Sequence, residues 1–184
     1  MQFIDTHAHV YSEELLPDLN QLMQNAISSG VTKIFMPAID SHSLEAMILV
    51  ENAFPKNCFS MAGLHPCYVN ENVQAELAIV ADQLSKRKFP AIGEIGLDFY
   101  WDKTFVSQQQ LAFNTQMQWA LDFSLPIVIH TRNAMGETIE AVKPFAKKGL
   151  RGIFHCFSGS KESAEQIIGM GFHLGLGGVL TYKN

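Results

Sequence analysis

Short apolar runs rich in β-branched residues alternate along the chain with longer segments whose apolar positions recur at helical spacing. The short runs predict seven strands, over residues 2–7, 33–39, 58–64, 91–97, 126–130, 151–157 and 172–179. The segments between them predict helices over residues 12–29, 43–53, 71–86, 105–123, 134–147 and 161–170. Runs such as Ile127-Val128-Ile129 are continuously apolar, which is typical of parallel strands buried on both faces. The pattern therefore predicts seven βα units in series.

Two α/β architectures accommodate such a series, an open doubly wound sheet and a TIM barrel. The open sheet usually carries a glycine-rich phosphate loop after its first strand, whereas strand 1 here ends in Asp-Thr-His-Ala-His. Ionisable residues also recur at the carboxyl ends of successive strands, where barrel active sites are built. We therefore expect one domain over residues 1–184, a TIM (β/α)8 barrel of the metal-dependent hydrolase type. Because a barrel needs eight strands and about 250 residues, we expect the chain to be truncated before the eighth strand.

Composition and charge narrow the class of protein. No apolar run reaches the roughly 18 residues of a membrane span, and the N-terminus does not resemble a secretory signal. The 3 cysteines are few and lack a metal or redox spacing, which predicts a cytoplasmic protein. The formal net charge of −5 argues against a broad basic surface for nucleic acid. A polyanionic substrate would therefore need metal ions to supply positive charge.

Histidines gather at the predicted strand ends. Five of the 7 lie at or just past the carboxyl end of a strand, namely His7, His9, His65, His130 and His155. Residues two apart on a strand point to the same side, so His7 and His9 could together chelate one divalent cation. The alternative is that one of them is buried and hydrogen-bonded while the other is solvated. Asp5 could orient this pair or simply lie at the rim.

Strands 4 to 6 supply further candidate ligands. Glu94 lies within Ala-Ile-Gly-Glu-Ile-Gly, where a carboxylate would be costly to bury unpaired. Its two oxygens could bridge two cations, or it could form a structural salt bridge. His130 and His155 each follow apolar β residues on adjacent strands. Each alone is more often a core histidine, but together they could hold a second cation.

Five motifs, in order and spacing, resemble the TatD family of metal-dependent deoxyribonucleases, within the amidohydrolase-like barrels. They are Ile-Asp-Thr-His-Ala-His, Gly-Leu-His-Pro, Ala-Ile-Gly-Glu-Ile-Gly-Leu-Asp, Ile-His-Thr-Arg and His-Cys-Phe-Ser-Gly-Ser. The resemblance implies two divalent cations (Mg, Mn, Zn or Ni), one held by His7 and His9 and the other by His130 and His155. It implies that Glu94 bridges them and that His65 lies close to the bound phosphate. The family completes its first metal site with an aspartate after the eighth strand, which has no counterpart in this sequence.

The expected activity is hydrolysis of DNA phosphodiester bonds, as an exonuclease on single-stranded or frayed ends, with Glu94 and His65 as catalytic residues. Arg132 is a second substrate-binding candidate beside His65, because a guanidinium suits phosphate oxygens. The Phe99-Tyr100-Trp101 loop could stack an unpaired base or anchor the rim. Two alternatives are a related amidohydrolase acting on an amide, lactone or nucleobase, and a catalytically silent barrel fragment. The sequence predicts neither the native metal nor the oligomeric state.

Overall fold

A computed structural model describes residues 1–183. The strands are β1 (Phe3–Asp5), β2 (Val31–Met36), β3 (Cys58–Ser60), β4 (Ile92–Asp98), β5 (Ile127–Arg132), β6 (Gly152–Phe154) and β7 (His173–Leu174). The α-helices are α1 (Leu19–Ser28), α2 (Leu44–Ala53), α3 (Val73–Lys86), α4 (Val106–Asp122), α5 (Met135–Lys147) and α6 (Lys161–Gly169). Short 3₁₀ helices cover Leu16–Asp18, Pro66–Tyr68 and Gly178–Thr181.

All the paired strands are parallel and follow chain order. β1, β2 and β3 form one sheet, and β4 to β7 form another. A parallel bridge between Ala62 and Ile92 joins the two sheets, so the strands follow one another around a curved wall, as in a TIM barrel lacking closure. Within the described residues, β1 pairs only with β2 and β7 only with β6. Parallel strands run in one direction, and therefore all their carboxyl ends lie at one rim.

Apolar residues pack on both sides of this wall. The larger core lies between β4, β5 and the helices α3 to α5, and a smaller one lies between β2 and the helices α1 and α2. A third cluster contains Met61, Ala91 and Val128, with Phe35 packed against them. All seven residues of β4 are buried, as the continuous apolar pattern predicts for a central parallel strand. None of the described helices is long and apolar enough to cross a bilayer.

The predicted elements are all present, but several are shorter than expected. The first helix starts at Leu19 rather than residue 12, because Pro17 lacks a backbone N–H and lies in the preceding 3₁₀ turn. Strand 7 was expected over residues 172–179, yet β7 covers only His173–Leu174 before a glycine-rich segment. β1 ends at Asp5, so His7 and His9 follow the strand rather than lying on it.

Candidate metal centre

Glu94 lies at the centre of a cluster of histidines at the carboxyl rim. Its side chain is buried, and a register irregularity between Gly93 and Ile95 marks its place in β4. Such an irregularity re-aims a side chain relative to a regular strand. Four imidazoles lie within 4 Å of its carboxylate, on His7, His9, His65 and His130. These histidines come from the ends of three different strands, β1, β3 and β5, as expected for a barrel site.

Each carboxylate oxygen of Glu94 faces its own pair of histidines. Oε2 lies 3.1 Å from Nε2 of His7 and 3.6 Å from Nε2 of His9. Oε1 lies 3.2 Å from Nδ1 of His130 and 3.8 Å from Nε2 of His65. The carboxylate therefore has one histidine pair on each side, which is the arrangement needed to share two cations.

The histidines hold Glu94 in its charged form. Burial alone would raise the pKa of Glu94, but the hydrogen bond with His130 and the nearby imidazoles of His7 and His9 bring this pKa well below its usual value. For His130, burial would lower the pKa, and the hydrogen bond to Glu94 with the charges of Glu94 and Asp98 raises it. A buried carboxylate that stays ionised requires such compensation.

His155 lies on the His7 side of the cluster. Its ring stacks on that of His7, with ring centroids 3.3 Å apart and planes 9° apart. His130, its expected partner for a second cation, turns instead towards Glu94, Asp98 and His65, with its ring centroid 4.4 Å from that of His65. The structure thus brings all the predicted histidines to one rim but pairs them differently from their strand order.

The donor set suits a divalent cation. Ligand atoms of His7, His9 and Glu94 lie within 4.8 Å of one another, as do those of His65, Cys67 and His130. Nδ1 of His7 is buried and has no hydrogen-bond partner among the described residues. Burial lowers the pKa of both His65 and His155 to about 4, so these imidazoles are neutral at pH 7. Neutral imidazole nitrogens and carboxylate oxygens are common ligands of Zn²⁺ and Mn²⁺.

Asp98, for which the sequence predicts no role, also belongs to this site. Its Oδ2 lies 2.8 Å from Nε2 of His130, and its Oδ1 accepts hydrogen bonds from the backbone N–H groups of Tyr100 and Trp101. The feature of the sequence that could have indicated Asp98 is its position at the end of a continuously apolar strand. Cys67 lies nearby with an exposed side chain, and partial desolvation together with the neighbouring carboxylate of Asp98 raises the pKa of its thiol.

Two buried glutamines of α4 hold the strand ends that carry this site. The amide of Gln116 accepts from the N–H of Leu64 (2.7 Å) and donates to its C=O (3.2 Å). Gln109 makes the same two contacts with the backbone of Asp98, at 2.9 and 3.1 Å. Each side-chain amide therefore pairs with both backbone polar groups of one residue, as a neighbouring strand would. A helical pattern alone does not distinguish these glutamines from solvent-exposed ones, so the sequence does not predict their role.

Arg132 lies at the mouth of the site, against the aromatic loop. Its guanidinium carbon is 3.8 Å from the ring centroid of Tyr100 and 5.1 Å from that of Trp101. All three side chains are exposed, so the cation and its aromatic neighbours form one accessible surface. At the opposite side, the exposed side chain of Asp5 accepts a hydrogen bond from the backbone N–H of His7 (3.0 Å), a local contact with the main chain and not with the imidazole ring.

Comparison with known proteins places the chain in a family. A family profile described as TatD related DNase matches residues 4–184. An uncharacterized metal-dependent hydrolase, YabD of Bacillus subtilis, is 33% identical over 98% of this chain and 70% of its own length. The 3'-5' ssDNA/RNA exonuclease TatD of Erwinia tasmaniensis is 28% identical over 95% of this chain and 67% of its own length.

A solved structure supports the same assignment. The crystal structure of YjjV, a TatD homologue from Escherichia coli, superposes with a TM-score of 0.90 at 29% identity and covers 98% of this chain and 70% of YjjV. This likeness confirms the expected α/β fold of the TIM-barrel type. The profile match over nearly the whole chain, with these relatives, shows that the protein belongs to the TatD-related family of metal-dependent hydrolases.

Proposed function

We propose that this protein is a deoxyribonuclease that hydrolyses phosphodiester bonds at single-stranded or frayed DNA ends, using two divalent cations. The observation that carries the proposal is the placement of Glu94, whose two oxygens face separate histidine pairs. A TatD relative named as a 3'-5' ssDNA/RNA exonuclease supports this choice of substrate. We further propose that residues 1–184 form a single hydrolase domain.

In this proposal His7 and His9 would hold one cation and His130 and His155 the other, with Glu94 between them. His130 already lies beside Glu94, whereas the ring of His155 would have to leave its stack on His7 to reach the second cation. Bound divalent cations supply Lewis-acid polarisation of the phosphate and activation of a water molecule. Glu94 contributes the charge that keeps both cations together, and the histidines contribute neutral nitrogen donors.

Substrate contacts come from His65 and Arg132. His65 is neutral at pH 7 because burial lowers its pKa to about 4, so its ring can donate one N–H to a phosphate oxygen and adds no charge to the cation site. Arg132 is exposed and lies over Tyr100 and Trp101, where a guanidinium can bind a phosphate while the aromatic rings stack on an unpaired base. The positive charge that the acidic chain lacks overall is thus supplied locally.

The compartment proposed for this activity is the cytoplasm. Cys58, Cys67 and Cys156 are all free thiols. Three thiols without a disulfide suit a reducing environment, and the thiol of Cys67 lies close to the proposed catalytic residue His65.

The test compares the 184-residue chain with Glu94→Gln and Glu165→Gln on end-labelled single-stranded DNA in the presence of Mg²⁺ or Mn²⁺. Glu94→Gln keeps the side-chain shape but removes the charge between the histidines, and we expect the rate to fall at least about 100-fold. Glu165 lies on the exposed face of α6, so its variant should match the wild-type rate. Equal rates for the wild-type and Glu94→Gln chains would refute the site.

Two further measurements separate the alternatives. Hydrolysis of small lactones or amides by a chain that leaves DNA intact would favour a related amidohydrolase. Elemental analysis of the purified chain showing no bound metal, together with no hydrolysis of either substrate class, would favour a silent barrel fragment. Cleavage of single-stranded DNA that depends on Glu94 would exclude both.

A further inference from the structure

The hydroxyl of Tyr11 lies between a backbone carbonyl and a ring nitrogen of His9. Tyr11 is 3% exposed and belongs to the core cluster beside β2. Its oxygen is 2.5 Å from the carbonyl oxygen of Pro37 and 2.9 Å from Nδ1 of His9. The two rings meet edge to face, with centroids 5.6 Å apart. Nothing in the sequence motifs draws attention to this tyrosine.

Counting protons determines the direction of both hydrogen bonds. A phenol carries one proton, and a carbonyl oxygen can only accept. Two oxygens 2.5 Å apart require that proton between them, so Tyr11 donates to Pro37. Towards His9 the phenol oxygen can then only accept, and Nδ1 of His9 must carry a proton. In a neutral imidazole, a proton on Nδ1 leaves Nε2 with its lone pair exposed.

The exposed lone pair of His9 points into the proposed metal centre. Nε2 of His9 lies 3.6 Å from Oε2 of Glu94 and belongs to the donor group completed by His7. We infer that Tyr11 is a positioning residue that holds His9 in the Nδ1–H tautomer and so prepares Nε2 as a cation ligand. The inference rests on the proposed metal site, because His9 needs this tautomer only as a ligand.

Without the phenol oxygen the tautomer would be free to change. The carboxylate of Glu94 would then favour a proton on Nε2 of His9, since Nε2–H could donate to Oε2. That proton would occupy the lone pair that a cation needs. Groups that accept the second N–H of a metal-binding histidine change metal affinity by about 10- to 100-fold when they are removed.

The experiment uses Tyr11→Phe, which keeps the ring and removes only the oxygen. Mn²⁺ and Zn²⁺ affinities of the 184-residue chain are measured by isothermal titration calorimetry, and we expect binding to weaken about 10- to 100-fold. Tyr68→Phe is the matched control. Tyr68 lies beside His65 with ring centroids 6.0 Å apart, and its hydroxyl makes no hydrogen bond within residues 1–183. Its variant should keep the wild-type affinity within about twofold.

A second measurement, of the tautomer of His9, begins with the wild-type chain and so does not depend on a variant folding. Nitrogen-15 NMR of the metal-free wild-type chain at neutral pH distinguishes the two tautomers of His9, and we expect the Nδ1–H form. In Tyr11→Phe we expect the Nε2–H form to become populated. A purely structural role for Tyr11 would lower the melting temperature without moving this tautomer.

The outcomes separate the inference from the proposed function. An Nε2–H tautomer in the wild type, or equal cation affinity in the wild type and Tyr11→Phe, would overturn the role of Tyr11 and leave the metal site standing. A wild-type chain that binds no cation yet shows the Nδ1–H tautomer would instead refute the metal site, and with it the ligand role of His9. Weakened binding together with a tautomer change in Tyr11→Phe would support both.

Discussion

Replacing Gln116 by methionine tests whether a side-chain amide supports the strand end that carries His65. Gln116 is fully buried on α4, and its amide pairs with both backbone polar groups of Leu64, the residue before His65. Methionine has similar length and no branching, so it fills the same space without the amide. The substitution leaves the N–H and C=O of Leu64 without these partners in a region closed to water.

The magnitude follows from those two groups. A buried polar group without a partner costs about 1–3 kcal/mol, and Leu64 would have two such groups. Burial of the more apolar methionine side chain offsets part of this combined cost. We therefore expect the free energy of unfolding to fall by about 2–4 kcal/mol. For a chain of this size each kcal/mol lowers the melting temperature by about 2–4 °C, which gives a decrease of roughly 4–16 °C.

The assay is urea denaturation followed by circular dichroism, with Gln118→Met as the control. Gln118 is on the same helix but exposed, and among residues 1–183 its amide bonds only to Asp122. Its replacement should change the free energy of unfolding by less than about 0.5 kcal/mol. Equal losses in the two variants would refute the argument, because the loss would then reflect helix propensity rather than the pairing with Leu64.

Three further predictions concern pH, backbone geometry and substrate binding. Burial lowers the pKa of His65 to about 4 from an ordinary 6.5, so the unfolded chain binds more protons between these values. Stability of the metal-free chain should therefore fall as pH drops from 6.5 to 4, by on the order of 3 kcal/mol for this residue; a pH-independent urea midpoint would contradict this. Gly96 has φ +149° and a Cβ there would lie 1.9 Å from the carbonyl oxygen of His130, so Gly96→Ala should lower the free energy of unfolding by at least about 2 kcal/mol. Gly136→Ala, with open space around it, should leave the melting temperature unchanged or higher. Arg132→Lys should raise KM for single-stranded DNA about tenfold with little change in kcat, since lysine loses the planar contact with the aromatic loop; an unchanged KM would exclude a substrate contact.

The pattern of hydrophobic and polar residues by itself determines the fold class of this protein and the region of its candidate site. Continuously apolar runs separated by helical segments specify parallel βα units, and parallel strands place all their carboxyl ends at one rim. That rule alone brings His7, His65, Glu94, His130 and His155 to the same region, although they lie far apart in the chain. The fold class and the region of the candidate site therefore follow from the order and spacing of the residues.

Only the tertiary structure decides which groups face each other at that rim. Sequence spacing suggested that His130 pairs with His155, whereas the structure stacks His155 on His7 and turns His130 towards Glu94 and Asp98. Strand order sets the neighbourhood of a side chain, but its direction depends on where pairing stops and on irregularities such as the one at Glu94.

The supporting residues depend on the tertiary structure for the same reason. Gln116 bonds to a backbone 52 residues away and Tyr11 to one 26 residues away, so no local pattern marks either as buried and paired. Polar residues are buried only where distant segments supply matching donors and acceptors. Local patterns of hydrophobicity can be identified from the sequence, whereas buried polar groups find their partners only when separate segments of the chain pack together.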